Sequence, residues 1–422
     1  MIGAVVEVKF KLPFVMIQTK STPRIFKFES KKIDTKYQLP LYAIPIIVGA
    51  IGVYLLSVSI YAFIISASAR DAAASIGPMA NFLLPGINPY VPVLAGWIAI
   101  LTAVVAHEFA HGIIAKINGI NVKKMGLLLF LCIPIGAFVE VDETHLKASP
   151  KKSAIAVLSA GATTNAIIAV VSLILLVSLV NGSLRPAPGY PIINVEPNAP
   201  LSMATQNTPI APGSMITAVD NTPVNNTTFL KYHPGETVTV TVASKDGVAA
   251  YPVTLGMWTP ATCAVINDSE ISQGTESILN SSVSPIRSCV GITTYEPGYL
   301  NAITALYSHS LTNNTLLYFC VPDLPGCALV VPFSYALAPF FNFQYNVEVY
   351  QTLFWLWFVN INLAVVNLLP IYGLDGGQVL NTALEGVFEK GNWDKRHIKP
   401  IVILVSLMFI LMIGLLLTLP YI

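Results

Sequence analysis

The stretch 104–115, VVAHEFAHGIIA, places two histidines and a glutamate inside an apolar run. On a helix, residues four apart share a face, so His107 and His111 can grip one cation together. Glu108 is one position from His107 and points beside that cation. This is the H-E-x-x-H arrangement, in which two neutral imidazoles bind zinc and the carboxylate serves as general base to a water on the metal. Zinc then needs a third protein ligand and an open fourth position. The stretch 367–377, NLLPIYGLDGG, offers Asp375. Pro370, Gly376 and Gly377 can break a helix at membrane depth, which is tolerated where backbone faces protein or a water-filled cavity. Such a break can deliver a carboxylate to a metal. Taken alone, LDGG is also good turn chemistry, so Asp375 by itself reads as a cap or turn residue.

These groups need a scaffold, and composition says which kind. Of 422 residues, 54% are hydrophobic and only 11% charged, against about a quarter charged in soluble proteins. The chain is therefore an integral membrane protein. Its net charge of +1 argues against a nucleic-acid partner. The start, 1–38, is polar and basic, unlike a secretory signal peptide, and the alternation in VVEVKFKLP reads as a short strand or hairpin. Apolar runs at about 41–67, 92–117, 153–180, 350–371 and 399–419 are long enough to span, a span needing roughly 20 residues. The stretch 123–143 is apolar but interrupted by Pro134 and Gly136 and ends in alternation; it reads as a membrane-associated strand or hairpin, or as a re-entrant packing element. The fold class expected is a polytopic α-helical membrane protein of about five to six spans with an inserted β-rich domain.

Lysines and arginines cluster before the first run, between the second and third, and between the fourth and fifth, while 181–335 holds only Arg185, Lys231, Lys245 and Arg287. That asymmetry puts the N-terminus in the cytoplasm and 181–335 outside. Every N-x-[ST] triplet (Asn181, Asn225, Asn226, Asn267, Asn280, Asn313) and four of the five cysteines fall in 181–335. Proximity in sequence favours disulfides Cys263–Cys289 and Cys320–Cys327. The organisation expected is a cytoplasmic segment 1–40, a first membrane part 41–180, an extracytoplasmic domain 181–335 and a second membrane part 336–422. Within the third, APGSMITAVDNTPV resembles the pGDxIxxVNGxxV segment of PDZ domains, and PGYPI at 188–192 resembles their carboxylate-binding loop. Ser214 replaces the usual Asp and Thr222 the usual Gly. A PDZ-like fold over about 187–296, with 257–289 as an insertion, would bind a peptide C-terminus by strand addition or act as a steric filter.

AHEFAHG on one span and NLLPIYGLDGG on a later one resemble the site-2 protease family of intramembrane zinc metalloproteases. Its members carry H-E-x-x-H on one core helix and N-x-x-P-x-x-x-L-D-G, or a close variant, on another. SAGATTN at 159–165 is similar to the family's A-G-P-x-x-N segment, with Ala162 in place of Pro. The resemblance implies Zn2+ held by His107, His111 and Asp375, with Glu108 as general base. Asn367 and Asn165 are candidate oxyanion donors, being uncharged amides; an interhelical hydrogen bond is the alternative for Asn165, and pinning the broken helix for Asn367. Gly112 and Ala115 read as residues that let helices approach closely.

The resemblance further implies a single-span membrane-protein substrate, an upstream site-1-type protease that trims it on the outer side, and a PDZ-like domain that screens for that trimming. The hairpin at 123–143 would pair with an unwound substrate. The setting expected is an archaeal plasma membrane. Two rival readings use the same residues: a non-catalytic PDZ-containing receptor or scaffold, and an ion or metal transporter. A scaffold has no need of Glu108.

Overall fold

The computed structural model describes all residues except 1–5, 12, 28–37, 131–132, 193, 196, 206–209, 211–213, 225–227, 245–246, 259–262, 265–287, 290–291, 294–303, 305–306, 308–320, 324–330 and 335–337. The chain divides into two units, Met1–Leu176 with Gln351–Ile422, and Val177–Tyr350. The first begins with the hairpin β1 (Val6–Lys11) and β2 (Phe14–Thr19), then α1 (Pro40–Ile65), α2 (Ala67–Ile76) and α3 (Val93–Ile117). A second hairpin, β3 (Val122–Phe130) and β4 (Ile133–Val141), leads to α4 (Glu143–Ala148), α5 (Lys151–Leu158) and α6 (Ala160–Ser183). The second unit carries α7 (Pro200–Ala204). The chain then returns with α8 (Val347–Leu368), α9 (Asp375–Lys390) and α10 (Ile398–Thr418).

Among the described residues, five helices are long and apolar enough to cross a bilayer: Pro40–Ile65, Val93–Ile117, Ala160–Gly182, Val347–Leu368 and Lys395–Tyr421. They match the five apolar runs, with two differences that matter for chemistry. The third run is two helices, because Ser159 turns its hydroxyl onto the carbonyls of Ile155 and Leu41 and the helix restarts at Ala160. Local side-chain bonding of this kind competes with helix continuation. The fourth run stops at Leu368, since Pro370 supplies no N–H to continue it.

Lipid gives helices no hydrophobic reason to associate, so close packing of small residues must do it. Ala162 and Ala166 of α6 meet Ala364 of α8, with Val48 of α1 and Leu368 around them. Gly52 of α1 lies so near Val365 that a Cβ there would sit 2.7 Å from a valine methyl. Outward positions such as Ile46, Tyr54, Leu404 and Leu411 stay exposed and apolar, as a lipid-facing surface requires.

The two hairpins join into one antiparallel sheet in the order β1-β2-β3-β4. The strand or hairpin expected from VVEVKFKLP is thus half of the sheet that includes 123–143. β4 forms one edge and packs against α3. Phe26, completely buried, seats the sheet on the bundle with Ala115, Ile120, Val122 and Val157. A Cβ at Gly112 would fall 2.5 Å from the Phe26 ring, so this glycine admits an aromatic side chain rather than a neighbouring helix.

The second unit contains β5 (Arg185–Pro186), β6 (Tyr190–Pro191), β7 (Asn194–Val195), β8 (Met215–Val219), β9 (Thr222–Pro223), β10 (Thr237–Ser244) and β11 (Gly247–Thr254). It continues with β12 (Gly256–Trp258), β13 (Cys263–Ala264), β14 (Ser288–Cys289), β15 (Ile292–Thr293) and β16 (Phe341–Asn342). Its main sheet runs β11-β10-β8-β6, with β9 on β8. Alternate residues of β10, Val238, Val240 and Val242, point into one core with Ile192, Leu201, Ile216 and Val253, the period-2 pattern of a half-buried strand. Asp220 and Asn221 both have positive φ and turn β8 into β9, as residues that tolerate the left-handed region do.

β13 and β14 pair with opposite edges of β12, Cys263 across from Trp258 and Cys289 across from Gly256. Two strand spacings separate them by about 10 Å, beyond the roughly 7 Å that a disulfide can bridge. No disulfide is found among the described residues, and the expected Cys263–Cys289 pairing has no support in this strand order. The Cys320–Cys327 pairing and the sequons at Asn225, Asn226, Asn267, Asn280 and Asn313 lie outside the described residues.

Phe26→Ala should cost about 3–5 kcal/mol and lower the melting temperature of the detergent-purified protein. An unchanged melting curve would show that the sheet is not anchored through Phe26.

Candidate metal centre

α3 puts His107 and His111 one turn apart on its buried side, and both imidazoles present Nε2 to the same point. Asp375 is the first residue of α9, directly after the broken segment, and aims its carboxylate there. His107 Nε2 lies 3.1 Å from Asp375 Oδ2, His111 Nε2 lies 3.3 Å from the same oxygen, and the two Nε2 atoms are 3.2 Å apart. Three lone-pair atoms form a nearly equilateral triangle. A tetrahedral zinc ion with bonds of about 2.0 Å requires ligand atoms about 3.3 Å apart, so the triangle is one face of such a tetrahedron. Asp375 Oδ2 is moreover a buried oxygen left without a hydrogen-bond donor, a costly condition that a cation would remove. The three residues form a group able to hold a metal. The donor set, two imidazoles and one carboxylate, is that of a catalytic zinc site, in which the fourth position is kept for water.

The far side of each ring fixes its orientation. His111 Nδ1 sits 2.7 Å from the carbonyl oxygen of Val157. That carbonyl belongs to the last turn of α5, where the break at Ser159 leaves helix carbonyls open to other donors. With Nδ1–H donating to Val157, Nε2 is left bare for a metal. His107 Nδ1 lies 3.3 Å from the Asn165 amide, and Asn165 is wholly buried. Bare Nε2 on His107 again requires a proton on Nδ1, so the amide oxygen must be the partner. Turning the amide that way also satisfies Asn165 Oδ1, otherwise a buried oxygen without a donor. The structure thus places Asn165 of α6 against His107 of α3, an interhelical contact on the side of the ring away from Asp375. Asn367, in the last turn of α8, is half-buried.

Glu108 is half-buried, and its Oε2 accepts a hydrogen bond of 2.9 Å from the backbone N–H of Val139 on β4. This contact leaves Oε1 uncommitted and ties the edge strand to the Glu108 carboxylate.

Several further positions shape the centre, of which the sequence did not single out Ser406 or Lys151. A Cβ on Gly161 would fall 2.5 Å from His107 Nε2, so α6 can cover that imidazole only because this residue is glycine. Cβ atoms on Gly376 and Gly377 would fall 2.3 Å from the Leu368 carbonyl oxygen and 2.1 Å from that of Ile371; the glycines let α9 start hard against the broken segment. Ser406 of α10, buried, accepts the Tyr372 N–H at 2.8 Å and donates toward the Val402 and Pro370 carbonyls. It replaces bonds that the break removes. At the other end, Lys151 of α5 pairs with Glu385 and Glu389 of α9, and Asn381 donates to Glu385. The helix carrying Asp375 is thereby clamped to the helix that orients His111. The signals were present as A-G-A in 159–165 and as a lone serine in an apolar helix, but neither has meaning without the neighbour it touches.

Asn165→Ala should weaken zinc affinity by about 10–100-fold while leaving the helices folded. Competition with a chromophoric chelator reads this directly; unchanged affinity would return Asn165 to a purely interhelical role.

Residues 95–413 match Peptidase family M50. Over 95 residues, 22% of this chain, it is 46% identical to an uncharacterized protein of Methanocaldococcus jannaschii, and the match spans 25% of that protein's length. The chain thus covers about a quarter of the curated relative it matches. The family match takes in α3, the break before α9 and everything between them, so the chain belongs to Peptidase family M50, the site-2 protease family.

Proposed function

We propose that the protein is an intramembrane zinc endopeptidase that cuts a peptide bond within the membrane segment of a single-span substrate. The observation that carries this reading is the triangle of His107, His111 and Asp375 with Glu108 beside it, set inside helices long enough to span. Zinc held by the three ligands would supply Lewis acidity to the peptide carbonyl and to the attacking water. Glu108 Oε1 takes the proton as the water oxygen bonds to the carbonyl carbon. Glu108 then delivers it to the departing amide nitrogen when the C–N bond breaks. Asn367 is the candidate donor to the carbonyl oxygen.

Two features support access. Water has a polar approach: a cavity of about 550 Å³ lined by Lys151, Gly377, Gln378, Asn381, Glu385 and Lys399 lies beside the start of α9. The substrate has an open strand edge. Because the Val139 N–H points at Glu108, its pairing with Met125 leaves that N–H off the ladder. Ala137, two residues on, faces the same way. An unwound substrate strand can pair there and bring its backbone to Glu108.

The lysine distribution supports a cytoplasmic N-terminus and an extracytoplasmic second unit. That unit, read as PDZ-like, would screen substrates already trimmed outside by another protease or bind a peptide C-terminus. An archaeal plasma membrane is the setting we favour.

Glu108→Gln should retain stoichiometric zinc and lose at least about a thousandfold in cleavage of a model transmembrane substrate, general base catalysis contributing roughly 10²–10⁴. Wild type lacking zinc, or a Gln variant as active as wild type, would sink the reading and favour a scaffold or transporter. Ala137→Pro deletes one outward N–H without touching the ladder, which an edge strand tolerates. It should raise KM several-fold with zinc content unchanged.

A further inference from the structure

Between α3, α8 and the segment before α3 lies an apolar cavity of about 300 Å³, lined by Leu83, Leu84, Trp97, Ile100, Ala103, Val104, Val359, Asn362, Leu363 and Val366. Its α3 wall is one helical stripe that runs into the metal ligands. Ile100 is seven residues before His107 and Val104 seven before His111, so they share a face. The α8 wall, Val359, Asn362, Leu363 and Val366, has the same spacing and ends next to Asn367. Both walls therefore lead from the cavity to the catalytic centre, one to two turns away, or roughly 5–10 Å at 1.5 Å per residue.

Ile100 and Val104 also border a small gap against Leu127, Gly136 and Ala137. Ala137 is the residue whose outward N–H and C=O stand ready for a substrate strand. The cavity and the strand edge thus share the same two side chains of α3. A substrate held in extended form beside Glu108 has side chains that must go somewhere, and this hollow adjoins the strip of α3 that the edge strand follows. Asn362 is the sole polar residue in the lining. Its Nδ2 is committed to the Phe358 carbonyl at 2.7 Å, which leaves Oδ1 as an acceptor for an unwound backbone N–H.

We infer that this cavity is a specificity subsite that receives one bulky apolar side chain of the substrate's membrane segment, on the side of the scissile bond toward the α3 N-terminus. The inference rests on the protease reading above. It means that sequence preference is exerted inside the membrane, by shape, at one fixed distance from the cut.

The test uses the full-length protein reconstituted with zinc and a panel of model transmembrane peptides carrying Ala, Leu or Phe at successive positions. Val366 is half exposed (47%), so Val366→Phe fills the cavity mouth with little risk to folding. At one position only, wild type should prefer Leu or Phe over Ala by about 10-fold or more, the usual worth of methylenes in an apolar pocket. Val366→Phe should abolish that preference without slowing the Ala peptide, and Trp97→Ala should shift it toward Phe. An equal loss on every peptide, or no preference at any position, overturns the subsite.

A second readout does not need turnover. A diazirine side chain placed at that position should crosslink to Trp97 or Leu363 in the Glu108→Gln protein, and Val366→Phe should suppress it. Crosslinking that succeeds while wild type cleaves nothing would sink the protease reading and keep the binding site. Labelling by a diazirine phospholipid that peptide cannot displace would show a lipid tail as the occupant and overturn the proposal.

Discussion

Three atoms that repel one another share a space about 3.2 Å across in the middle of an apolar bundle, and most of the first unit exists to keep them there. Two imidazole nitrogens and a carboxylate oxygen with lone pairs converging are unstable without a cation. An ionised carboxylate in low dielectric costs several kcal/mol before any partner is counted. The buried Asp375 oxygen without a donor marks the same point from the opposite direction: each ring has a partner at Nδ1, in Val157 and Asn165, while both Nε2 atoms and this oxygen converge where a cation would fit.

Holding such a triangle requires irregular backbone at membrane depth, where each lost helical hydrogen bond must be replaced. The chain breaks a membrane helix twice and puts each break to use. At Ser159 the freed carbonyl of Val157 orients His111, and the serine hydroxyl ties the break to α1. Between Leu368 and Asp375 the freed groups go to Ser406, and the new helix begins with the ligand itself. An acidic residue at a helix N-terminus is also favoured by the helix dipole. Glycines 161, 376 and 377 supply the close approaches that any Cβ would block.

Much of this was legible in the sequence, but unevenly. H-E-x-x-H and LDGG name their chemistry because helical spacing and turn propensity act over a few residues, and the apolar runs show the spans by length alone. The N-terminal alternation showed a hairpin, yet not that it would join the strands at 122–141, since strand partners are chosen over long range. Asn165 was legible as an oxyanion donor or an interhelical bond, but not as a partner of His107, because which atom an amide meets depends on the ring packed against it. The Cys263–Cys289 pairing finds no support for a related reason: closeness in sequence says nothing about which edge of β12 each strand takes. Val157 had no sequence signal of its own, and those of Gly161 and Ser406 carried no meaning without the neighbours they touch.

Hydrolysis within lipid must solve two opposed problems, bringing water in and keeping a substrate extended, and the Glu108–Val139 hydrogen bond joins the solutions. On the proposed reading, the carboxylate that would act as general base is fixed by the strand that would receive the substrate. A displacement of β4 along α3 therefore moves the carboxylate as well, and any segment that pairs with β4 is set in register with Glu108 before chemistry begins. Proximity of this kind is worth several kcal/mol of barrier when the reacting atoms are held near contact distance. A bundle of helices alone offers side chains at the metal but no backbone edge to unwind a helix against. That need accounts for a four-stranded sheet beside a membrane bundle, seated on it by Phe26 and by a glycine on the helix that carries the ligands.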